Sequence, residues 1–215
     1  MNEECKNEER RNEESKALIN ALEAKLNKAA ITPREKIALA LKYIDTRHDE
    51  IRGLQLLDEA VARGDLRARL WRAYYHVHLG MTKDEMLKAK QLLQLEGVDD
   101  PQFRAGALLL LPFILDELGE GNVELEISML KEAAQLFPSW VFPHWFLARG
   151  YERAGLYAEA ACELELARSM VLDETEQIDP LEDEFEGHFT GRAFYGVKSI
   201  LANDLERIKE RIRSH

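Results

Sequence analysis

The sequence predicts an all-α protein, a stack of antiparallel helix pairs with a charged helix at its N-terminal end and an amphipathic capping helix at its C-terminal end. Three observations carry that prediction. Apolar residues recur at helical spacing along most of the chain. Capping residues, prolines and glycines punctuate the pattern at short intervals. No stretch of useful length alternates with the period of two that a half-buried strand needs.

The elements follow in order. Residues 1–16 hold three copies of a five-residue unit that begins Asn-Glu-Glu. Glu3/Lys6, Glu8/Arg11 and Glu13/Lys16 support a helix weakly, while Glu4/Glu8 and Glu9/Glu13 oppose it. The expectation is a solvated, charged, low-complexity tail. Leu18, Ile19, Leu22 and Leu26 then make a narrow apolar stripe. That stripe pairs with another copy or docks on its own array, so the chain reads as a monomer or a weak homodimer. Thr32-Pro33-Arg34-Glu35 is a helix start, with Thr32 as N-cap, Pro33 in the first turn and Glu35 completing a capping box. Ile37, Leu41 and Ile44 continue that helix; Leu54, Leu57 and Val61 form the next, closed by Gly64.

Asp65 caps a helix through Leu79 that ends at Gly80, and Thr82 caps one over 83–95 that ends at Gly97. Asp100-Pro101 opens an apolar helix reaching Leu118, whose run 107–115 predicts burial on every side and whose Pro112 predicts a kink. Gly119 and Gly121 break the chain before a helix over 123–137. Residues 173–186 carry eight carboxylates and no cation, which predicts an extended or mobile loop. Val197, Ile200, Leu201, Leu205, Ile208 and Ile212 form a last amphipathic stripe, suited to capping a stack. The expected organisation is a tail (1–16), a helical repeat domain (17–172), an acidic linker (173–191) and a capping helix (192–215).

Composition narrows the function classes. The formal net charge of −11 lacks the basic footprint that nucleic-acid backbones and anionic membranes require. The longest apolar run is far short of the ~20 residues that span a bilayer. Two cysteines, Cys5 and Cys162, offer neither a disulfide framework nor a metal spacing, which fits a reducing compartment and a cytoplasmic location. The chain shows no phosphate loop, no His-Glu-x-x-His and no Gly-x-Ser-x-Gly, and His76 and His78 are two apart on a helix, pointing to nearly opposite sides. No cofactor and no catalytic set is expected.

Self-similarity appears at a period of 34. Gly121 and Gly155, Val123 and Tyr157, Leu130 and Leu164, Ala133 and Ala167, and Leu136 and Met170 are all so spaced. Trp145, Leu147, Ala148, Tyr151, Gly155, Tyr157, Ala160 and Ala167 stand at offsets through which the chain resembles the tetratricopeptide repeat family, with Pro138 closing the preceding unit. Glu59 to Asp65, Ala68, Ala73, Tyr75, Gly80, Lys83-Asp84 and Lys88-Ala89 resemble the related Sel1-like repeat. The two resemblances cover about 54–173. They imply a right-handed, irregular α-solenoid whose first helices line a concave groove for a protein or peptide.

In that register the groove residues are Phe142, Trp145, Arg149, Glu152 and Arg153 on one helix and Arg67, Leu70, Tyr74 and His78 on another. Trp71 and Trp145 have an equal second reading as packing between repeats. Phe142 and Phe146 stand where a chaperone-type carboxylate clamp places polar groups, which argues against that ligand. The expected function is a protein-binding adaptor. The alternatives are an inhibitor or immunity-type protein that neutralises a basic partner through its acidic surface, and an enzyme with a site hidden in sequence.

Overall fold

The computed structural model describes residues 3–80, 82–171 and 196–214, and all the described secondary structure is helical. The chain divides into two compact units, Met1–Arg72 and Ala73–His215.

The first unit holds α1 (Glu3–Asn27), α2 (Pro33–Asp45), α3 (Glu50–Val61) and the start of α4 (Leu66–Tyr75). The capping box at Thr32 forms as the sequence predicts: the Thr32 hydroxyl accepts from the Glu35 amide at 3.2 Å, and Glu35 accepts from the Thr32 amide at 2.9 Å. Lys25 of α1 also binds Glu35, and with the Thr32 contacts it holds that carboxyl at about 2. The apolar stripe of α1 docks on its own array: Ile19 and Leu22 are buried, and Tyr43 of α2 donates to Glu23 at 2.5 Å. Burial and Glu23 together push the Tyr43 phenol up to about 12. α1 is continuous across residue 16, so the charged repeat and the apolar stripe share one helix.

α2 and α3 close on each other tightly. Lys36 is 7% exposed and meets Glu59 at 2.5 Å. That contact lowers the Glu59 carboxyl, the Lys36 hydrogen bond being the largest cause. A Cβ on Gly53 would stand 2.7 Å from the Ala40 carbonyl oxygen and 2.6 Å from Ile44 Cγ1, so only glycine permits this approach.

The second unit continues α4 into a π-helical turn, His76–Gly80, followed by α5 (Lys83–Leu92), α6 (Pro101–Leu118), α7 (Val123–Leu136), α8 (Val141–Arg153), α9 (Tyr157–Met170) and α10 (Val197–Ser214). Asp65, Thr82, Asp100 and Asn122 each accept a backbone N–H at the start of the helix they precede. The π-helical turn was not legible in sequence. It places His76 inward, where its ring pairs with Glu85 of α5, and His78 outward. Gly80 is needed because a Cβ there would collide with Glu85 Cγ at 2.3 Å. Glu85 is lowered by Lys88 first and His76 second.

Two helices differ from expectation. α5 ends at Leu92, short of the predicted 95, because Leu93 turns inward as a buried C-cap; Gly97, in the left-handed region, belongs to the loop beyond. α6 is not buried on every side. Ala105, Ala107, Leu108, Leu111 and Ile114 are buried, but Leu110 and Pro112 are half-buried and Phe113 is exposed. The helix runs on past Pro112 to Leu118, where Gly119 caps it with a φ of 72°. The predicted acidic linker lies outside the described residues, as does the stretch 192–195 assigned to the capping helix.

Candidate functional site

The bare face of α6 forms part of a groove of about 560 Å³ in the second unit. Its floor is apolar: Leu109, Leu110, Pro112 and Phe113 from α6, Leu130 from α7 and Phe146 from α8. Phe113 keeps 42% of its surface open. Pro112 has no amide hydrogen to return to the Leu108 carbonyl, and its ring adds to the floor. The walls are charged. His78 stands at the π-helical turn, Asp116 at the end of α6, Glu126 on α7, Arg149, Glu152 and Arg153 on α8, and Arg207 on α10.

Most of those wall charges are matched. Arg153 pairs with Glu126. Arg207 pairs with Glu152 and donates to Asp204 at 2.9 Å. These carboxylates, Asp204 first, raise the Arg207 guanidinium above its ordinary value against a smaller opposing effect of burial. Trp145 of α8 donates its indole N–H to the other oxygen of Asp204 at 2.9 Å. Trp145, Asp204, Arg207 and Glu152 thus form one polar chain that latches α10 to α8. Among the described residues Arg149 and Asp116 have no ionic partner, and both are exposed to the groove.

His78, Arg149, Glu152 and Arg153 line the groove together. The other sequence-derived site residues take different places. Phe142 is buried and stacks on Phe146 at 5.4 Å between ring centroids. Trp145 is half-buried and donates its indole N–H to Asp204 in the latch. Tyr74 is half-buried with its ring 4.0 Å from that of His78, beside the groove lining. Arg67 and Leu70 belong to the first unit, and Trp71, 1% exposed, is core there.

Sequence reasoning missed Leu110, Pro112, Phe113, Asp116 and Glu126. One signal was present: Pro112 stands one 34-residue period before Phe146, so the register that places Phe146 on the first-helix face places Pro112 there as well.

A second polar junction ties α8 to α9. His144, buried, reaches Glu163 of α9 at 2.7 Å with Nδ1 and the Pro138 carbonyl oxygen at 3.2 Å with Nε2. Among the described residues no group of three or more histidine, cysteine or carboxylate side chains is arranged to hold a metal, and no helix is long and apolar enough to cross a membrane.

No protein-family model and no curated protein matches this chain. Among solved structures it is similar to MamA, a helical repeat protein of tetratricopeptide type. One crystal structure of MamA superposes with a TM-score of 0.51 at 18% identity, over 76% of this chain and 92% of that one. A second MamA structure, from AMB-1, gives 0.44 at 18% identity over 72% of this chain and 95% of that one. The first likeness shows the fold: an all-α stack of helix pairs of the helical-repeat kind.

Proposed function

We propose that this chain is a protein-interaction scaffold, a binder rather than a catalyst, that seats a segment of a partner protein in the groove of its second unit. The observation that carries the reading is the open apolar floor of Leu110, Phe113 and Phe146 between charged walls. Apolar surface left in water costs about 25 cal/mol per Å², and a partner that covers it recovers that free energy. Aromatic and arginine side chains also carry a large share of binding energy where they line pockets, and this groove holds both. The 34-residue spacing supports a tetratricopeptide or Sel1-like register as the finer description of the fold. The sparse cysteines support a reducing, cytoplasmic setting.

The test is affinity capture from native lysate with the full chain, beside Phe113→Ser and Arg149→Ala variants checked for unchanged helicity. Both side chains are exposed, so the variants should fold as the parent does. A partner taken by the parent and lost by Phe113→Ser supports the groove as the binding site. A partner kept by both folded variants sinks it, and steep weakening of that retained complex by salt would redirect attention to the acidic stretch 173–186.

A further inference from the structure

We infer that the occupant of the groove is an internal segment of a partner protein carrying apolar anchors and a single side-chain carboxylate, which pairs with Arg149. This inference rests on the proposed scaffold function and gives the partner its chemistry.

The charge ledger of the groove supplies the argument. Of its three arginines, Arg153 is neutralised by Glu126 and Arg207 by Glu152 and Asp204. Arg149 alone among the three has no anionic partner within the described residues, and it stands exposed on α8, three positions on from Phe146 of the apolar floor. A guanidinium at the edge of an apolar floor is poorly served by a wholly apolar ligand, which strips its water and returns nothing. A carboxylate beside the ligand's apolar anchors returns a charge-assisted, bidentate contact.

The same ledger limits how acidic the ligand is. Among the described residues Asp116 has no ionic partner in the groove, and Glu126 and Glu152 lie in its walls. A run of carboxylates would meet all three, so the complement is one acid in an apolar segment and not an acidic tail. A chain-terminal carboxylate is the weaker fit, because its recognition relies on several converging donors and, among the described residues, one of the three arginines here is unmatched. The apolar floor spans Leu109 to Phe113 on α6 and reaches Phe146 on α8, room for more than one anchor side chain.

The experiment is selection from a phage-displayed library of random short peptides on the intact chain, repeated on Arg149→Glu and on Phe113→Ser. Selected sequences on the parent should share apolar residues beside one aspartate or glutamate. The synthetic consensus peptide should lose about tenfold in affinity when that acid becomes its amide, the size of one hydrogen bond to a charged group. Arg149→Glu should turn the selection at the same position from acid to lysine or arginine, a reversal that loss of packing cannot produce. An apolar consensus that Phe113→Ser abolishes but that shows no acid preference, or one unmoved by Arg149→Glu, overturns this inference and leaves the scaffold function standing. No enrichment on the folded parent overturns both.

Discussion

The helix pairs α6–α7 and α8–α9 share a core and differ in what they do with it. Leu130 and Leu164 are buried to 1% and 2%, and Ala133 and Ala167 to 0%, at matching positions one repeat apart. The first helices diverge. α8 commits two of its aromatics to packing, Phe142 buried and Trp145 bonded to α10, while Phe146 lines the groove. α6 buries Phe103 with its aliphatic residues and leaves Phe113 open. The second helices keep the fold periodic, and the first helices are free to vary in what they present.

The turns teach the same lesson in miniature. Gly121 and Gly155 occupy the same repeat position for different reasons. Gly155 has a φ of +76° and open space around its missing Cβ. Gly121 has no such φ, but a Cβ there would stand 2.9 Å from the Asp116 amide nitrogen; the left-handed cap of that turn is Gly119 instead. A matched glycine in a repeat is therefore a matched place, not a matched physical demand.

The largest test of the shared core is Leu130→Ala against Leu164→Ala. Each should destabilise by about 2–5 kcal/mol in denaturant unfolding. A much smaller loss at either site would mean that the two cores are not equivalent. Next come the glycines. Gly121→Asn should cost about 1–3 kcal/mol, as forced close contacts do, whereas Gly155→Asn should cost well under that, because asparagine tolerates the left-handed region. Equal costs would erase the distinction drawn between the two turns. Trp145→Phe should cost about 1 kcal/mol for the lost hydrogen bond and speed amide exchange in α10 without doing so in α7. Phe113→Ser should be smallest, within about 0.5 kcal/mol of the parent in stability, while it removes partner capture. A large stability loss there would make Phe113 a core residue and not a ligand-facing one.

Much of the architecture was legible because it is written in local chemistry. Thr32, Asp65, Thr82 and Asp100 cap the helices the pattern assigns to them, and the 34-residue spacing marks the shared core of α7 and α9. What escaped depends on neighbours distant in sequence. An apolar run such as 107–115 does not reveal which side its neighbours leave bare, so Phe113 passed for core. The π-helical turn at His76–Gly80 lies against Glu85 of the next helix, a neighbour that no window of residues displays. Trp145 reads equally as groove or packing, and its bond to Asp204, 59 positions along the chain, is outside any local pattern.

The latch between α8 and α10 also has a kinetic meaning. The helix pairs are built from contacts close in sequence, which form quickly, whereas Trp145 and Asp204 are separated by 59 positions and Glu152 and Arg207 by 55. Closing loops of that length precedes any reward from the contacts they bring together, so such pairings come late in folding. The wall that Arg207 supplies should therefore be the last part of the groove to arrive, and during refolding the recovery of binding should lag behind the recovery of helix.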